Sequence, residues 1–133
     1  MFSKTLLPGF IWAVFIYALC ALPGKSLPSW QWADLLSVDK LVHCFIFFTL
    51  TILLIKGTEL NKTISKRHFT IIATTCIAYG GSLELLQEYS FTDRTGSLPD
   101  FIANTFGTLL GIVFYTRIKT FKWLTMVFKI VRH

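Results

Sequence analysis

Residues 84–111 read E-L-L-Q-E-Y-S-F-T-D-R-T-G-S-L-P-D-F-I-A-N-T-F-G-T-L-L-G, and this stretch constrains the fold more than any other. Two apolar segments meet there across a short polar turn. Each carries carboxylate or amide groups toward what is expected to be membrane. A charge in a membrane-embedded helix is costly, so it needs a partner, an aqueous cavity or a function. A second cluster, D-K-L-V-H at residues 39–43, opens another apolar segment. The expectation is that both clusters meet on one side of a membrane.

Composition agrees. Hydrophobic residues make up 53% of the 133, and charged residues only 15%, too few for the surface of a soluble domain of this size. The length allows one domain, residues 1–133. The predicted fold is all-α: an integral membrane bundle of four transmembrane helices, at about residues 5–22, 38–55, 69–89 and 99–118. A basic, amphipathic tail over 119–133 is expected to lie on an anionic leaflet. Segment 5–22 reads as a retained helix, because Ala18-Leu19-Cys20-Ala21 makes a poor cleavage site. Between the first two spans, Trp30 and Trp32 suit an interfacial anchor. Gly57 is read as the end of the second span. Ser97, Pro99 and Asp100 form a helix start, with Ser97 as cap.

The net charge of +6 does not point to nucleic acid, because the basic residues gather in certain loops and at the tail. Ten of the 13 Lys and Arg residues fall at the N-terminus, in the loop after the second span and in the tail. The positive-inside rule then puts both termini in the cytoplasm. Every acid except Glu59 goes to the outer end. Cys20, Cys44 and Cys76 lie singly in apolar runs and have no metal-binding spacing.

This topology brings Asp39, Glu84, Gln87, Glu88, Asp100 and Asn104 to similar depth. The pairs Asp39/His43, Glu84/Glu88 and Asp100/Asn104 are each four apart, so each shares a helical face. Gly107-x-x-x-Gly111 permits close helix approach, by default within the chain and otherwise in a homo-oligomer. His68 and His133 are read as solvent-exposed bystanders.

These segments resemble the VanZ-like family of small bacterial membrane proteins, over roughly residues 38–111. The resemblance rests on D-K-L-V-H, S-L-E-L-L-Q, D-R-T-G-S-L-P-D and D-F-I-A-N-T-F-G-T-L-L-G, in this order and spacing. The family takes its name from a protein associated with resistance to the glycopeptide teicoplanin. The resemblance implies a fold, an envelope context and, more loosely, a role in antibiotic susceptibility. It carries over onto Asp39, Lys40, His43, Glu84, Gln87, Arg94, Ser97, Asp100 and Asn104. Cys44-Phe45 departs from the family's habit of an aromatic directly after the histidine.

Two readings of the site stay open. In one, the polar groups pair with one another and only fix helix register: Arg94 with Asp100 or Glu84, Lys40 with Glu88, Asn104 across helices. The chain is then a non-catalytic scaffold. In the other, the acids Asp39, Glu84, Glu88, Asp93 and Asp100 outnumber Lys40 and Arg94. One of them becomes a general acid or base beside His43. His43, Glu84 and Asp100 would then be catalytic, and Asp39, Lys40, Gln87, Arg94, Ser97 and Asn104 would hold substrate. Lys40 and Arg94 would hold a phosphate. The expected partners are membrane lipids or a lipid-linked cell-wall precursor. No cofactor is assigned. A metal at Asp39, His43, Glu84 and Asp100 would be hard and oxygen-ligated, and it has no H-E-x-x-H-type spacing behind it. Transport is a poor fit, because no inverted repeat is visible.

Overall fold

In the computed structural model, described over residues 4–22, 32–91 and 95–132, the chain is all helix and turn. Side chains are described except at 32–37 and 130–132. A 3-10 turn at Lys4–Leu6 leads into α1, Leu7–Ala21. Then come α2, Trp32–Glu59, α3, Lys66–Tyr89, α4, Leu98–Ile118, and the short α5, Lys122–Arg132. Four helical segments are long and apolar enough to cross a membrane: Lys4–Ala21, Val38–Glu59, Lys66–Tyr89 and Leu98–Ile118. Their outer surface is apolar, with Phe10, Ile11, Phe45, Ile71, Phe106 and Val113 all exposed. Such a surface suits lipid and not water.

The four-span, all-α fold expected from the sequence is the one observed, with shifted ends. The second helix does not stop at Gly57: it runs through Gly57 to Glu59. Gly57 is buried because the backbone of the N-terminal 3-10 turn lies against it. A Cβ there would collide with the Thr5 carbonyl, and Asn61 one turn on bonds to the Thr5 hydroxyl. The glycine is therefore a seat for another segment and not a helix stop. At 28 residues α2 measures about 42 Å, more than the roughly 30 Å hydrocarbon core, so part of it extends beyond the bilayer interior. The third helix starts three residues before its predicted position, at Lys66. His68 is no bystander: its Nδ1 accepts the backbone N–H of Ser65 at 3.1 Å and closes that helix start. Trp30 and His133 lie outside the described residues.

The main packing is α2 on α4, with α3 against both and α1 on the flank. Gly107 and Gly111 are buried at the α2–α4 contact within the chain; a Cβ on Gly107 would strike the Cys44 carbonyl. Small residues thus let two backbones touch where no side chain could fit. α1 is held by side-chain bonds to backbone: Trp12 Nε1 donates to Ile46 O at 2.9 Å, and Tyr79 Oη to Ala13 O at 2.7 Å. Inside the helices, hydroxyls turn back on their own chain, as in Thr51 to Phe47 O and Thr108 to Asn104 O. This satisfies them where water is absent. The tail helix α5 is amphipathic as expected: Leu124 and Phe128 are buried against the core, and Trp123 and Met126 stay exposed.

Candidate functional site

One end of the bundle gathers the start of the second span, the end of α3 and the start of α4. Three local features build it. α2 presents Asp39 and His43 one turn apart, α3 presents Glu84, Gln87 and Glu88, and α4 begins with Ser97 as its N-cap. The Ser97 hydroxyl accepts the Asp100 N–H at 3.4 Å, with Pro99 in the first turn. That cap fixes the start of α4, and Asp100 and Asn104 follow one turn apart on one face.

The centre is His43, only 12% exposed on its side chain. Its Nδ1 lies 3.0 Å from Oδ1 of Asn104, which is 1% exposed. As the amide is oriented, Nδ1 is the donor to Oδ1, and this contact fixes the angle of the ring. Nε2 faces Asp39 Oδ1 at 3.7 Å, too long for a hydrogen bond. One ligand atom each from Asp39, His43 and Asp100 all lie within 4.8 Å of one another.

The acids of α3 are held differently from the expected pairing with cations. Glu84 Oε2 accepts the Ser97 N–H at 2.8 Å, and Glu88 Oε2 accepts the Gly96 N–H at 2.8 Å. The turn before α4 thus acts as a donor pair for two carboxylates. Gly96 is needed for the approach: a Cβ there would sit 2.6 Å from the Glu84 carbonyl oxygen. Glu84 is 8% exposed, and its other oxygen, Oε1, is buried with no partner. Asn104 Nδ2 is likewise buried without one. Two such orphans at one end are notable, since most buried polar side-chain atoms are paired. Gln87 turns away from the centre, its Nε2 reaching Cys20 O on α1 at 3.5 Å.

Beside Glu84 an open groove of about 670 Å³ runs between α3 and α4. Its floor is small, with Ala78, Gly81 and Ser82, and its walls include Leu85, Leu98 and Phe101. Its lining is mostly apolar, with Ser82 and Tyr89 among it, and it meets Glu84, Glu88 and the turn at Gly96 and Ser97.

The structure therefore brings Asp39, His43, Glu84, Ser97, Asp100 and Asn104 to one end. Lys40 is half-buried there and Gln87 serves the α1 contact. Arg94 lies outside the described residues. Residue-type reasoning missed the Gly96 and Ser97 backbone donors and the groove floor. The one available signal was the glycine beside the cap in T-G-S-L-P-D.

A family model described as VanZ/LLP1 matches residues 2–122, nearly the whole chain. The chain belongs to the VanZ/LLP1 family. It is a VanZ-like membrane protein, and the match extends well past the 38–111 stretch that carries the resemblance in sequence. No curated protein and no solved structure matches it. Family membership therefore supplies the class of protein, and the site has to be argued from its own geometry.

Proposed function

We propose that this VanZ-like protein binds or modifies a lipid headgroup, or a lipid-linked cell-wall component, at the His43–Glu84–Asp100 end of the bundle. In this reading that end faces outward across a bacterial inner membrane, both termini are cytoplasmic, and activity lowers glycopeptide susceptibility. The observation that carries it is the groove between α3 and α4. Its mostly apolar lining suits an acyl or prenyl chain, and the groove meets the polar cluster beside the unpartnered Glu84 Oε1. A ligand with an apolar tail and a polar head fits both parts at once.

The roles follow from position. His43 is oriented through Nδ1, so Nε2 is the atom free to take or give a proton. Glu84 and Asp100 are the carboxylates beside it: Ser97 holds Glu84 through its N–H and caps the helix that carries Asp100, and Asn104 fixes His43 itself. Lys40 and Arg94 would meet the phosphate of the headgroup, with Asp39 at the rim, while Gln87 is buried against α1 and is not placed to meet it. The competing scaffold reading draws on the backbone bonds that hold Glu84 and Glu88, since these contribute to packing without any ligand.

The test is native mass spectrometry of the protein extracted with its own lipids. Wild type should retain a phospholipid or a lipid-linked precursor. Gly81→Leu, which fills the groove floor, should release it, as should Glu84→Gln and Asp100→Asn together. A wild type that carries no more lipid than these variants would leave the scaffold reading standing.

A further inference from the structure

We propose that Asp39, His43 and Asp100 form a binding site for a hard divalent cation of the Mg²⁺, Mn²⁺ or Ca²⁺ kind. The inference is independent of whether a lipid fills the groove, but it gives Nε2 of His43 to the ion and so replaces the proton-transfer role assigned to that atom above.

Three observations carry it. The first is spacing. One ligand atom from each of the three residues lies within 4.8 Å of the others. Ligands on opposite sides of such an ion, at bond lengths of about 2.1–2.5 Å, stand roughly 4–5 Å apart. The trio can therefore close on an ion with little movement. The second is the histidine. A metal-binding imidazole usually donates its other N–H to a fixed acceptor, which sets tautomer and ring angle. Here the buried Asn104 Oδ1 is that acceptor at 3.0 Å, and Nε2 points into the cluster without a hydrogen bond to Asp39. Asn104 is a positioning residue in this scheme and not a ligand.

The third observation stands apart from the trio. Glu84 is more than nine-tenths buried and its Oε1 has no partner, at the same end of the bundle as Asp39, His43 and Asp100. An uncompensated carboxylate oxygen in a low-dielectric end of a bundle is costly. A divalent cation among Asp39, His43 and Asp100 would offset it and the two aspartates together. Glu84 then supplies field, while the other three supply ligands. Asp39 is exposed, so water or an anionic oxygen could complete the coordination of such an ion. One imidazole with carboxylates favours a hard ion over a thiolate-loving one, and Mn²⁺ accepts both donor types.

The experiment is titration of MnCl₂ into the full chain in neutral-lipid nanodiscs, read by electron paramagnetic resonance and by thermal unfolding. Wild type should bind one Mn²⁺ saturably, show nitrogen coupling from an imidazole, and unfold at a higher temperature with the ion. Asp39→Asn, at an exposed carboxylate that the fold does not need, should abolish saturable binding. His43→Gln should remove the nitrogen coupling. Asn104→Ala should weaken binding about 10- to 100-fold, the usual effect of losing an outer-shell partner. Glu59→Gln, at the opposite end, should bind as wild type does. No saturable Mn²⁺ in the wild type, or binding that survives Asp39→Asn and Asp100→Asn combined, would overturn the assignment.

Discussion

The two ends of the bundle each hold a glutamate against α4, and they treat it in opposite ways. At the end where α2 stops, Glu59 Oε2 takes the Tyr115 hydroxyl at 2.6 Å and Lys56 Nζ at 3.2 Å. Lys119 Nζ stands 3.8 Å from its other oxygen. Tyr115 is 1% exposed, so the bond is sealed from one side by protein. Both carboxylate oxygens face a donor or a positive charge. At the other end Glu84 has one oxygen on a backbone N–H and one with nothing, amid further acids. A closed polar set fixes packing. An open one is where a ligand has something to gain. The difference separates a structural carboxylate from a candidate functional one within a single chain.

The most severe way to break this arrangement is to push α2 and α4 apart. Gly107→Leu inserts a side chain where a Cβ already meets the Cys44 backbone, and backbone cannot yield as a side-chain tip can. It should cost about 3 kcal/mol or more and collapse both ends at once, read as loss of the folded fraction in detergent. Next comes Tyr115→Phe. It removes a short bond to a charged acceptor, so unfolding followed by SDS titration should show a loss of about 1.5 kcal/mol or more. Asn104→Ala should cost less, about 1 kcal/mol, because interhelical bonds in membranes are modest and the amide already leaves Nδ2 unpaired. Its signature should be a freed His43 ring, seen as a changed imidazole resonance with the Tyr115 end untouched.

Much of the fold was legible because its signals are local or periodic. Four apolar runs mark four helices, and the Ser97 cap is announced by S-L-P-D. The clustering of Asp39, His43, Glu84 and Asp100 followed from helix order alone, since alternate helices bring their ends together. What the sequence hid was partner choice. Lys40 and Arg94 were the expected partners of the acids, while Glu84 and Glu88 take the Ser97 and Gly96 N–H groups. Backbone donors have no residue type and so leave no letter to read. The Glu59–Tyr115–Lys119 set was equally hidden. Its members lie up to 60 residues apart, and Glu59 reads simply as the one acid on the basic side. Gly57 misled for a related reason: a glycine that ends a helix and one that seats a neighbouring backbone look the same without the neighbour.

The smallest expected effect separates the two ends most sharply, because it lies in sign more than in size. Glu59→Gln keeps an acceptor for Tyr115 but removes the charge that Lys56 and Lys119 face, and should cost about 1 kcal/mol. Glu84→Gln keeps the acceptor for the Ser97 N–H while deleting a buried charge that has no cation on it. With divalent ions chelated, it should leave stability unchanged or raise it by up to about 1 kcal/mol, since neutralising an unpaired buried charge relieves its desolvation. The pair of variants should be compared in one SDS titration in EDTA. Opposite or clearly unequal shifts mean that Glu84 is held ready for something outside the chain. A Glu84→Gln loss equal to that of Glu59→Gln would mean that its second oxygen already has a partner within the protein, and the polar end would then be packing alone.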